Sequence, residues 1–265
     1  MGTSKRLSTP SGDKWRPLKT KITNHLKGGT QINPVQIAGG TVAASNGFSM
    51  GSGDEDSHGG GGGKGIRRGG SAVKGISRAI QGAAGFAASF QTGGLDSALD
   101  FLQLQDLKGK PAPEVIAKIA ERLSDNTSGI DNEVLSDSIR STLLEVAELT
   151  SQTGYEDLEA GLQSFLDSEG IEGLIEQILG RFAFDSIWIK NEAHIQDKSR
   201  DESAIESMYA ALLNACKSEV HTFITEMKAA KKFEGIDWFG KDGTNLARQI
   251  AKDLESRFIA LAQTD

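Results

Sequence analysis

Between positions 49 and 70 the chain reads SMGSGDEDSHGGGGGKGIRRGG, and this stretch limits the possible folds more than any other. Five consecutive glycines pay the highest backbone entropy on ordering and supply no apolar face in return. The segment reads as a flexible Gly/Ser linker carrying an acidic block and then a basic one. Composition divides at the same place. Of 32 glycines, 18 fall in the first 80 residues, which hold 12 Lys and Arg against 4 Asp and Glu; the rest of the chain holds 17 against 32. A basic, glycine-rich front therefore precedes an acidic back.

From Met1 to about Gly70 there is no sustained period of 3.6 or 2. Only isolated apolar residues appear, such as Trp15, Leu18, Ile22, Leu26, Val35 and Ile37, too sparse to repay the entropy of folding. Residues 1–70 are expected to form a disordered basic tail and linker, with residues 71–265 as the folded domain. One stretch, Lys14 to Leu26, is suited to become a short helix on a partner surface, because Trp15, Leu18, Ile22 and Leu26 share a helical face if Pro17 sits in the first turn.

The back has helical periodicity throughout. Val73, Ile76, Ile80, Ala83, Ala84, Ala87 and Phe90 form one stripe, ended by Gly93 and Gly94; Leu95, Leu99 and Leu102 form a short second one. Pro113 suits the first turn of a helix through Val115, Ile116, Ile119, Ala120 and Leu123. Asp125 to Gly129 reads as a turn. Another amphipathic helix starts at Asp131, and Thr153 with Glu156 matches a capping box for the next. Ile171 to Ile195 is too apolar for a helix with one narrow buried stripe and is taken as the central helix. Ser199 with Glu202 is a second capping box, and a last helix follows the loop holding Ile236, Trp238 and Phe239. The predicted fold is all-α, a bundle of about six to eight helices behind a long disordered glycine-rich N-terminal tail.

Few kinds of chemistry fit these residues. Lone Cys216 has no partner for an internal disulfide, and no apolar run reaches the roughly 20 residues that cross a bilayer. With no apolar signal-peptide core after the basic start, a cytoplasmic location without membrane attachment is expected. The run HGGGGGKG, from His58 to Gly65, lacks the hydroxyl residue after Lys64 that a phosphate loop needs. Asp54, Glu55, Asp56 and His58 depart from calcium-loop spacing and read as a solvated charge block, so no metal site is expected. Cys216 falls on an apolar helix face, and His194 and His221 lack paired-ligand spacing. Trp188, Trp238 and Phe239 read as core, with partner docking as the second reading. No enzymatic activity and no cofactor are expected. Lys64, Arg67, Arg68, Lys74 and Arg78 are the densest basic group, so weak nucleic-acid binding by the tail is an alternative function.

The chain starts Met-Gly-Thr-Ser. A small second residue permits removal of the initiator methionine, leaving Gly2 with an unhindered amine of pKa about 8 that is nucleophilic near neutral pH. Arg6 occupies the hydroxyl position of the myristoylation pattern, which is therefore not met. A fully extended tail of 70 residues would carry Gly2 more than about 200 Å from the body.

The starting tetrapeptide, the tail, GGSAVKGISRAIQGAAGF leading into GGLDSALDFLQL, and the later LIEQILGRFAFDSIWIK together resemble the B component of the bacterial Qat anti-phage defence system. The resemblance implies a non-enzymatic accessory protein encoded with an ATPase, a QueC-like enzyme and a TatD-like nuclease. It implies that Gly2 is the acceptor for an activated 7-deazaguanine, that Gly2, Thr3 and Ser4 are read by the QueC-like partner, and that the helical domain docks onto the complex. Trimming of the tail would move the acceptor to Gly12, Gly28 or Gly29. A phage-type structural or secreted effector protein is the remaining alternative.

Overall fold

The computed structural model describes residues 10–28, 33–48, 70–124, 130–148, 154–199 and 201–263. These hold eight α-helices and no strand: α1 (Trp15–Leu26), α2 (Pro34–Ala44), α3 (Gly70–Phe101), α4 (Ala112–Ser124), α5 (Ile130–Val146), α6 (Tyr155–Lys198), α7 (Glu202–Ala229) and α8 (Lys241–Leu261). A 3-10 turn, Gln105–Leu107, joins α3 to α4. The all-α bundle is the one that the periodicity predicts. Among the described residues no helix is long and apolar enough to cross a membrane.

The most apolar segment is the axis of the bundle, as its composition requires. α6 packs against α1, α2, α3, α4, α5 and α7, burying Leu174, Ile175, Ile178, Phe182, Phe184, Ile187 and Ile195. It bends at Gly170, whose φ of +71° lies in the left-handed region that favours glycine. The break in α3 falls at Gly93 and Gly94, where the sequence places it. There the Leu95 N–H donates to Glu159 Oε1 at 2.9 Å, so a carboxylate from α6 satisfies the exposed start of the second half of α3.

Helix starts differ from the predicted ones by one or two residues. α6 opens with the Gly154 N–H donating to Asp157 Oδ2 at 2.9 Å, while Thr153 lies outside the described residues. At α7 the Ser203 N–H donates to Asp201 Oδ1 at 3.0 Å, and Ser199 instead accepts from the Asp201 N–H at 3.2 Å. A charged acceptor at the positive end of the helix dipole outcompetes a hydroxyl two residues away. The Asp125–Gly129 turn lies outside the described residues.

The larger difference concerns the front. Within the span 1–70 read as a tail, residues 10–28 and 33–48 carry α1 and α2, packed on each other and on α6. Trp15, Leu18 and Ile22 are buried, so the helical face from Lys14 to Leu26 does find a surface, and that surface is the chain's own body. α2 starts with Asn33 accepting from the Val35 N–H at 3.0 Å, with Pro34 in the first turn. It buries Ile37, Ala38, Thr41 and Val42. Gly39 and Gly40 look like helix breakers in the sequence, each costing about 1 kcal/mol relative to alanine. Here Gly39 permits a close crossing: a Cβ on it would lie 2.6 Å from the Ala262 nitrogen at the end of α8.

Candidate functional site: the clasp on the N-terminal arm

Gly2, Thr3 and Ser4, the residues to which the resemblance points, lie outside the described residues. So do Gly29, the acidic block from Asp54 to His58 and the glycine run after it. Of the other candidate acceptors, Gly12 precedes α1 and its carbonyl accepts from the Trp15 and Arg16 N–H groups, while Gly28 follows the end of α1. The structure therefore bears on how this N-terminal arm is held.

It is held by three polar side chains on one face of the apolar α6. Lys190, only 7% exposed, donates from Nζ to Ser45 Oγ at 3.1 Å, the Gly47 carbonyl at 3.2 Å and the Phe48 carbonyl at 3.1 Å. Asn191 donates from Nδ2 to Thr41 Oγ1 in the middle of α2, at 2.9 Å. His194 places Nε2 at 3.2 Å from the Lys19 carbonyl and 3.1 Å from Thr23 Oγ1 on α1. One helical turn of α6 thus reaches the end of α2, its centre, and α1.

From the other side, α8 contributes Glu255, whose Oε2 accepts from the Phe48 N–H at 3.2 Å. Gly47 sits between these groups at φ +124°, and a Cβ there would lie 2.5 Å from Glu255 Oε2. The Phe48 ring is fully buried against Phe182 and Phe258, with centroids at 5.8 and 5.3 Å. Phe48 and Lys190 therefore fix the last described residue before the glycine-rich stretch.

The electrostatics follow from burial. Three oxygens with partial charges replace water around Lys190 without a carboxylate in contact, so loss of solvation lowers its pKa from the usual 10.5 to about 8. Burial raises the Glu255 carboxyl above its ordinary value, opposed by the Phe48 N–H and by the charge of Lys190. Burial lowers the His194 pKa, opposed by its hydrogen bond to the Lys19 carbonyl.

Beside α1 lies an open cavity of about 430 Å³, lined in part by Ser11, Gly12, Arg16, Lys19 and His194. The Lys19 ammonium donates to the Pro10 carbonyl at its edge. Because the body holds the chain from residue 10 onward, covalent geometry keeps Gly2 within about 30 Å of Pro10. The reach of more than 200 Å inferred for a tail of 70 residues does not apply.

Cys216 is buried in the core of α7, where burial raises its thiol pKa, matching its reading as a small apolar residue. His221 is surface-exposed, with Nδ1 at 2.9 Å from Glu176. Trp238 is buried and Trp188 packs on Phe184 and Tyr209, whereas Phe239 is 60% exposed and departs from the core reading. Among the described residues no group of three His, Cys, Asp or Glu side chains could hold a metal ion.

Sequence reading missed Lys190, Asn191 and Glu255. The first two carried a signal. With His194 they continue the helical stripe of Ala183 and Ile187, so polar side chains stand on the buried face of the most apolar helix. Groups in that position need partners, and those partners come from elsewhere in the chain.

No curated protein and no solved structure matches the chain. The family model for the Qat anti-phage system associated protein QatB matches residues 60–237. That span runs from the glycine-rich stretch through α7, leaving α1, α2 and α8 outside it. The helical order read along α3 to α7 and this match over about two thirds of the sequence agree, and the chain belongs to the QatB family of Qat anti-phage system associated proteins.

Proposed function

We propose that this protein is a non-enzymatic accessory component of its defence system, whose N-terminal arm is offered to a QueC-like enzyme for processing or for conjugation of a 7-deazaguanine at a glycine. The helical body docks onto the complex, which includes the system's ATPase and TatD-like nuclease. The clasp carries this reading. Lys190, Asn191 and His194 spend three buried polar side chains on fixing the arm, and thereby on fixing where the chain leaves the body near Pro10. An acceptor within about 30 Å of a rigid anchor is presented at high effective concentration to an enzyme bound to that body.

The anchor also discriminates between acceptor glycines. Cleavage before Gly12 would leave α1 intact. Cleavage before Gly28 or Gly29 would remove Trp15, Leu18 and Ile22 from the core, at roughly 1.5–3 kcal/mol for each buried side chain. Gly2 or Gly12 is therefore the favoured acceptor. Co-expression with the QueC-like enzyme, followed by intact-mass and N-terminal peptide mass spectrometry, tests the proposal. An added deazaguanine mass on Gly2 or Gly12 is expected, and unmodified termini at every candidate glycine would overturn it.

A further inference from the structure

Away from the arm, α3, α4, the turn after α3 and the α7–α8 loop enclose a groove of about 300 Å³ that shares no lining residue with the cavity beside α1. We propose that this groove, walled by Phe101, Trp238 and Phe239 and rimmed by Arg78 and Arg122, docks another protein of the system through an apolar side chain flanked by carboxylates. The inference rests on the accessory role proposed above and adds the surface and the chemistry of its partner.

Phe101 and Phe239, at 38% and 60% exposure, are the large apolar side chains left open to solvent among the described residues. They meet edge to face, with centroids 5.5 Å apart. Single exposed apolar residues are ordinary, but a contiguous aromatic pair over a groove marks a binding surface. The pair is also built rigidly. Phe101 lies flat on α3 because Gly85 is beneath it: a Cβ at that position would come 2.5 Å from the ring. Phe239 is held outward by a turn in which its N–H donates to Asp237 Oδ1 at 3.0 Å, while neighbouring Trp238 is buried and packs against Phe233. Preorganised rings lose little entropy when a partner arrives.

Charge selects the kind of partner. Residues 81–265 are acidic as a whole, with 17 Lys and Arg against 32 Asp and Glu, yet the groove carries arginines. Arg78 is exposed, with exposed Lys74 one turn earlier on α3. Arg122 is oriented by donating to the Leu102 carbonyl and to Gln103 Oε1, both at 3.1 Å. The nearby Asp100 carboxylate pairs with Lys108 at 2.8 Å. A small cationic rim on an acidic body favours carboxylates over a polyanion such as nucleic acid, which the rest of the surface repels. Aromatic residues with arginine are also the combination enriched at the energetic centres of protein interfaces.

Calorimetric titration of the full-length protein with the purified QueC-like enzyme, ATPase and TatD-like nuclease, each in turn, tests this. At least one is expected to bind, with Phe239→Ser and Arg78→Glu each weakening that binding about tenfold or more. Both sites are exposed, so circular dichroism and melting should be unchanged. Unaltered affinity in both variants would overturn the groove while leaving the accessory role standing. Failure of the wild-type protein to bind any of the three would overturn the accessory role and the groove with it. Binding of labelled oligothymidylate that is lost in Phe239→Ser, with protein affinities intact, would assign the groove to nucleic acid and also overturn the proposal.

Discussion

The front of this molecule, α1 and α2, and the family-matched body, α3 to α7, are both helical but are held by different forces. The body coheres through long apolar stripes that meet along α6, with a few polar networks between its helices. One of these sets Arg181 between Asp185 and Glu145, with Ser138 donating to Asp185 at 2.7 Å. The front has too little apolar surface to fold alone. It is docked on α6, α7 and α8 by a short apolar set, Trp15, Leu18, Ile22, Ile37, Val42 and Phe48, and by hydrogen bonds from Lys190, Asn191 and His194. Apolar packing is distributed and tolerant, whereas a directional clasp concentrates stability in a few groups. The front is therefore the part that a single substitution can release.

The sharpest way to break this comparison uses two fully buried phenylalanines. Replacing either by alanine costs about 3–5 kcal/mol locally. Phe184→Ala is expected to lower the melting temperature of the whole body, because its ring packs between Trp188 and Tyr209. Phe48→Ala is expected to raise hydrogen exchange in α1 and α2 while the body melts nearly unchanged. Collapse of both parts in Phe48→Ala would show that they form one cooperative unit.

A smaller effect is expected from Lys190→Met, which leaves Ser45 Oγ and the Gly47 and Phe48 carbonyls without their donor. Three weakened acceptors amount to about 3 kcal/mol. The loss should again be confined to exchange protection of α1 and α2.

The smallest effect is a pH slope. The folded pKa of Lys190, about 8, lies below its ordinary 10.5, so between those values the unfolded chain binds a proton that the folded chain has released. Stability from this group therefore rises with pH across that window, by at most about 1.4 kcal/mol per unit. Urea melts at pH 8 and pH 10 should show this rise in the wild-type protein and not in Lys190→Met. An equal slope in both would assign it to another group.

Much of the bundle was legible along the chain because the apolar stripes from Val73 to Leu261 are local patterns, readable at a spacing of 3.6. The boundary at Gly93 and Gly94 and the first-turn place of Pro113 were legible for the same reason. α1 was half legible: its face was visible, but not the surface that receives it. α2 carried the Asn33–Pro34 start signal, which its two internal glycines obscured. The clasp was least legible: the place of Lys190 on the buried stripe of α6 is a local pattern, but its partners lie more than 140 positions away.

By itself, the sequence determined the helical class, the central place of α6, the break at Gly93 and Gly94 and the family resemblance. All of these are properties of neighbouring residues or of order along the chain. Only the tertiary structure decided that residues 10–28 and 33–48 belong to the body, that Gly39 and Gly47 serve close approach, and that Phe239 faces solvent. Those outcomes depend on which distant surfaces meet, and burial of a polar or apolar side chain has no meaning until the neighbour that excludes water from it is in place.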